Sequence, residues 1–167
     1  NTVKTIAMVG ASNKENRPSY FAFKYLLERG YNMVPVNPGQ AGKELLGRRI
    51  YARLADIPEP VDMVDIFRAS QYALPIIREV LAMNPRPQVI WMQLGVRDDE
   101  AARLAEANGM KVVMKRCPSG IEGQSFYQHR APEICPKGVR VERVEGADVP
   151  TMFVGGATSA VQDRTTG

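Results

Sequence analysis

The stretch "VGASNKENRPS", Val9 to Ser19, carries the residue types of this chain best suited to hold an anion. A glycine directly after an apolar strand lets the backbone turn tightly. A helix starting shortly afterwards offers unpaired N–H groups and the positive end of its dipole. These are half of a dinucleotide-binding fingerprint. The other half departs from the pattern: the two further glycines that NAD needs give way to polar and charged residues, Ser12 and Asn13 replace the close approach, and Lys14 and Arg17 add cations. The second strand ends in Val36-Asn37-Pro38, without the acid that holds ribose hydroxyls. A glycine turn, a helix terminus, hydroxyl and amide donors and two cations suit a phosphate-rich ligand held further from the helix.

Other chemistries find little support in the residues. Cys117, Cys135 and the single His129 fall short of the four ligands of a structural zinc, and two cysteines make no disulfide framework. Each cysteine precedes a proline, which suggests chain corners. No Ser/His/acid set and no carboxylate pair of catalytic spacing stands out, and the acids of "GVRDDEAARLAE" read as helix N-terminal charges. The net charge is +4, and the tail from Gln124 holds five basic and five acidic residues, so the excess lies in the first 123. Without a basic run, that bias fits a small anionic ligand rather than nucleic acid. No stretch is long and apolar enough to cross a bilayer and no secretory pattern opens the chain, so a cytoplasmic protein is expected.

The loops need elements to position them, and the apolar pattern supplies these. "KTIAMVG", "YNMVPVNPG", "VDMVDIF", "QVIWMQLG" and "KVVMKRC" read as five buried strands. Between them lie helical segments. One runs from Pro18 through "SYFAFKYLLERG", with Tyr20, Phe23 and Leu27 on one face and Gly30 as terminator. Another is "SQYALPIIREVLAMN", capped by Ser70 and bent or restarted at Pro75; the third is "DDEAARLAEANG". "AGKELLGRRIYARLADIPEP" predicts a loop, a short strand around Arg49-Ile50-Tyr51 and a helical turn at Leu54 to Ile57. The alternation predicts an α/β fold: a Rossmann-like, doubly wound parallel sheet of about five strands with helices on both faces, plus an irregular C-terminal extension. Residues 1–123 form the nucleotide-binding domain in this reading. Residues 124–167 form the extension, with possible short strands in "VRVERVEG" and "VPTMFVGG" and a mobile end after Gly155.

In such sheets the ligand lies outside the carboxyl ends of the strands. Five segments should converge there: Gly10 to Ser19, Asn37-Pro38-Gly39, Phe67-Arg68-Ala69-Ser70, Gln93-Leu94-Gly95 and Arg116-Cys117-Pro118.

The ordered motifs "PVNPG", "LGRRIYARLADIPEPVDMVDIFR", "WMQLGV" and "RCP", together with the opening loop, closely resemble the small bacterial and archaeal CoA-binding proteins. These are stand-alone relatives of the CoA-binding domain of the succinyl-CoA synthetase alpha subunit. The resemblance spans Thr5 to Glu122. It implies coenzyme A or an acyl-CoA as ligand. Gly10, Ser12, Asn13 and Arg17 would follow the diphosphate, and Ser19 at the end of the same loop is a further cofactor-binding candidate. Asn37, Pro38 and Lys43 would face the adenosine part, and Phe67, Arg68 and Ser70 the adenine or ribose side. Gln93, Leu94 and Gly95 would follow the pantetheine. Cys117 reads either as a small structural cysteine or as a thiol able to form a mixed disulfide with CoA. The synthetases pass phosphate through a histidine on a second domain, to which nothing in this sequence corresponds, so the resemblance implies a non-catalytic binding, carrier or sensor protein. Two alternatives stand beside it: an NAD(P)-binding oxidoreductase or regulatory module, and a protein-interaction module with a vestigial crevice. Met152, Phe153 and Val154 in the tail make a homodimer or partner contact plausible.

Overall fold

The computed structural model describes residues 2–93, 95–113, 139–143 and 150–154. Five parallel strands form the central sheet: β2 (Thr5–Val9), β3 (Asn32–Val36), β6 (Met63–Ile66), β7 (Val89–Met92) and β8 (Lys111–Val113). Their spatial order is β3-β2-β6-β7-β8. The chain thus starts inside the sheet, adds one strand on one side, then builds the other three on the opposite side. That reversal puts a switch point between β2 and β6, where the connections leaving the two strands diverge to opposite sides and open a crevice.

β2, β3, β6 and β7 are buried on both faces, β8 less fully at the sheet edge, and alternate side chains serve two cores. Ile6, Met8, Met33, Met63, Val89 and Trp91 cluster with Ala22, Phe23 and Leu26 of α1 (Pro18–Glu28). Ala7, Val9, Val36, Val64, Ile66, Ile90 and Met92 cluster with Ala73, Ile76, Ile77 and Val80 of α2 (Ala73–Leu81) and with Ala101 and Ala105 of α3 (Asp99–Ala107). Helices therefore cover both faces, as the alternation predicted.

The helix boundaries follow local chemistry, with two corrections. In α1 the buried face is Ser19, Ala22, Phe23 and Leu26, while Tyr20 and Leu27 only flank it half-buried. The expected Tyr20-Phe23-Leu27 face was centred about one residue off. The helix ends as expected at Gly30: with φ at +85° its N–H donates to Leu27, and the Tyr31 N–H to Leu26, a Schellman closure. Ser70 does not cap α2. It opens a 3-10 turn, Ser70–Tyr72, and the N-cap of α2 is Tyr72 without a side-chain cap. The helix thus starts late enough for Pro75 to fall in its first turn, where a missing N–H breaks no helical bond. α3 is capped by Asp98, whose carboxylate accepts from Ala101 N at 2.9 Å.

β3 is an edge strand, which is where its Pro35 can be tolerated. Its outer edge is closed by the connection that follows. Tyr51 bridges Val36 in parallel, donating to Pro35 O and accepting from Asn37 N. The preceding hairpin, β4 (Glu44–Leu45) with β5 (Arg48–Arg49), and a 3-10 turn at Leu54–Asp56 complete that connection. A separate antiparallel sheet joins the chain's start to its extension: β1 (Thr2–Val3) pairs with β10 (Pro150–Val154), which pairs with β9 (Val139–Arg143). Residues 114–138 and those after Val154, among them Cys117 and the end expected to be mobile, lie outside the described residues.

Candidate functional site

The site begins with a glycine that no other residue can replace without moving the sheet. Gly10 follows β2 with φ at +88°, and its N–H donates to Val36 O of β3. On the other side, Phe67 N donates to Val9 O. A Cβ on Gly10 would sit 2.4 Å from Phe67 O and 3.0 Å from Arg68 Cδ. The glycine therefore serves the close approach of β2 and β6 at the switch point as well as the turn.

Beyond it, the loop is held by side chains from the β3 turn. Asn37 donates from Nδ2 to Ala11 O at 2.8 Å and accepts at Oδ1 from Gly39 N at 2.9 Å. Gln40 reaches across so that its Oε1 accepts from Asn13 N at 3.0 Å. Ser12 Oγ accepts from Lys14 N at 3.2 Å. Two backbone donors of the loop are thus already engaged by neutral acceptors. The chain then turns through Lys14 O and Arg17 N before α1 starts at Pro18, which supplies no N–H of its own.

These residues enclose a crevice of about 430 Å³ lined by Gly10, Ser12, Lys14, Arg17, Pro18, Ser19, Asn37, Gln40, Phe67 and Arg68. That volume falls within the roughly 300–1,000 Å³ of small-molecule sites. Lys14, Arg17 and Arg68 bring three positive charges, and none has an ion-pair partner among the described residues. The guanidinium of Arg68 lies instead over the Tyr72 ring, 4.5 Å from its centroid. The described lining holds no carboxylate, imidazole or thiol, and no group of three or more His, Cys, Asp or Glu among the described residues can hold a metal. The arrangement can bind a multiply charged anion.

Of the residues implied by the sequence, Gly10, Ser12, Arg17, Ser19, Asn37, Phe67 and Arg68 meet at this crevice. Asn13 stands beside it, tied to Gln40. Pro38 and Lys43 are exposed in the β3 turn, outside the lining. Ser70 accepts from Arg97 N and donates to Gly95 O, so it joins the loops after β6 and β7. Gln93 is buried and donates from Nε2 to Asp65 Oδ1 at 2.7 Å. Gly95 is exposed with φ at +86°, while Leu94 and Cys117 lie outside the described residues. Lys14, Pro18 and Gln40 line the crevice without belonging to the implied set. Lys14 was legible as a cation in the loop, but nothing local marks Gln40, whose partner is 27 residues away.

Comparison with known proteins bears on the family and the fold. A family model described as a CoA binding domain matches residues 4–123. An uncharacterized protein of Bacillus subtilis is 35% identical over 114 residues, covering 68% of this chain and 82% of its own length. The alpha subunit of an ADP-forming acetate–CoA ligase from Pyrococcus furiosus is 32% identical over 80 residues, 46% of this chain but 17% of that protein. Among solved structures, a Thermus thermophilus protein is 40% identical with a TM-score of 0.65, covering 70% of this chain and 85% of that one. A parallel sheet with its crevice at the β2/β6 switch point and a family match over residues 4–123 lead to one assignment: the chain belongs to the CoA-binding domain family.

Proposed function

We propose that this protein binds coenzyme A or an acyl-CoA in the crevice between the carboxyl ends of β2 and β6, and that it works as a binding, carrier or sensor protein without catalysis. The observation that carries the reading is the convergence of Lys14, Arg17 and Arg68 on one crevice whose described lining has no opposing carboxylate. CoA carries a 3′-phosphorylated ADP, so its charge is spread over separated phosphates. Spread cations answer that need better than a close diphosphate seat does. The engaged donors at Asn13 and Lys14 favour the same reading, because they leave less bare backbone for the tight contact NAD requires. The binding unit is residues 1–123, and the 124–167 extension is an added element that returns to pair with β1.

Calorimetric titration with CoA, acetyl-CoA, NAD and NADP tests this. CoA should bind with a dissociation constant on the order of micromolar, and Arg68→Ala should weaken it roughly ten-fold, the loss of one charge-assisted contact. Heat with NAD or NADP and none with CoA would overturn the proposal.

A further inference from the structure

We propose that Tyr72 is a positioning residue, whose ring fixes the Arg68 guanidinium at the mouth of the crevice in the orientation in which it meets the ligand. The inference rests on the CoA reading above but concerns a residue outside the crevice lining.

Tyr72 is 41% exposed, so it does little for the core, yet its ring carries a guanidinium 4.5 Å from its centroid. Its backbone is held independently of that contact. Tyr72 N donates to Ala69 O at 2.9 Å, and the turn is anchored through Ser70 Oγ, which accepts from Arg97 N at 2.9 Å and donates to Gly95 O at 3.3 Å. The ring is therefore presented from a braced turn. At its other end, the Arg68 stem passes the Gly10 turn, with Cδ 3.0 Å from where a Cβ on Gly10 would lie. Stem and head are thus both located, by a glycine on one side and an aromatic face on the other. The guanidinium N–H edges have no hydrogen-bond acceptor among the described residues. A stacked arginine keeps all its donors for a phosphate, because a cation–π contact uses its face and leaves its edges free. An unstacked arginine would have to lose its rotamer freedom when the ligand arrives, so Tyr72 contributes affinity without touching the ligand.

The test is a double-mutant cycle read by CoA titration. Tyr72→Leu should weaken CoA binding roughly two- to five-fold, the equilibrium equivalent of an exposed cation–π contact. Tyr72→Phe, which keeps the ring, should bind as the unaltered protein does. In an Arg68→Ala background, Tyr72→Leu should cause no further loss. Thermal melting of each variant confirms that the exposed substitution leaves the fold intact. Equal losses in both backgrounds, or no loss from Tyr72→Leu, would overturn the inference while leaving the CoA reading in place. No CoA binding by the unaltered protein would remove both.

Discussion

Replacing Gly10 by alanine separates two reasons for a glycine that are usually confounded. Gly10 and Gly109 share a positive φ, at +88° and +83°. A Cβ at Gly109, in the turn that closes α3, meets nothing within 4 Å, whereas at Gly10 it lands 2.4 Å from Phe67 O and 2.9 Å from Phe67 C. Gly109→Ala therefore carries the left-handed conformational penalty alone, about 1 kcal/mol. Gly10→Ala carries that penalty and must also push β6 away from β2, an overpacking cost of about 1–3 kcal/mol more. The neighbour is backbone, bound into the sheet by Phe67 N to Val9 O, and cannot rotate aside. Urea denaturation of both variants should thus show Gly10→Ala destabilised by about 2–4 kcal/mol and Gly109→Ala by about 1 kcal/mol. CoA titration should show binding lost in the first and kept in the second. Equal destabilisation by the two substitutions would refute the argument that Gly10 is required by close strand approach.

Asn37→Ala removes the amide that pins Ala11 O and Gly39 N, and should cost about 1–3 kcal/mol by urea denaturation together with a measurable loss of CoA affinity. Asn37→Asp should bind CoA worse still, since a carboxylate can accept from Gly39 but faces the Ala11 carbonyl without a donor. CoA affinity should fall as salt rises, and the slope should be shallower in Arg68→Ala, because one of the three crevice cations is gone. The hydrogen bond from Arg97 to Asp99, with the charges of Arg97 and Arg103, holds the Asp99 carboxyl below its ordinary value. A lowered carboxyl favours the folded state above its unfolded value, and that share is lost as pH falls through the folded one. An NMR titration should find Asp99 below the usual carboxylate range, rising towards it in Arg97→Ala; both groups are exposed, so stability should hardly follow.

The sheet and its crevice were legible because their signals are local. Five apolar runs ending in glycine, asparagine or arginine need no partner to be recognised, and Gly30 marks a helix end by its own conformational freedom. What escaped depends on elements meeting across space. The α1 face was misplaced because an aromatic-rich segment offers several apolar stripes, and only the packed sheet selects Ala22-Phe23-Leu26. Ser70 looked like a cap because serine before an apolar run is a cap signal, yet its hydroxyl is taken by Gly95 and Arg97 from the next loop. Asp65 lies fully buried in β6, and the glutamine that meets it comes from the loop after β7, a pairing fixed only once β6 and β7 are neighbours.

The same dependence explains why the opening loop keeps the first glycine of a dinucleotide fingerprint and drops the others. The first glycine answers to the sheet: Phe67 O leaves no room for a Cβ, whatever the ligand. The later positions answer to the ligand, since their role is to bring a diphosphate against bare backbone. Here that backbone is covered, with Asn13 N on Gln40 and Lys14 N on Ser12, and the helix start is moved back to Pro18. In the proposed reading, charge replaces proximity: Lys14, Arg17 and Arg68 would act over longer distances than N–H groups do, so the loop could carry side chains and the ligand could stand off the helix. Binding built this way should respond more to ionic strength and to the placement of single arginines than to the loop's backbone. On that reading the Arg68 and Tyr72 pair, rather than the glycine turn, should be where affinity is adjusted without disturbing the fold.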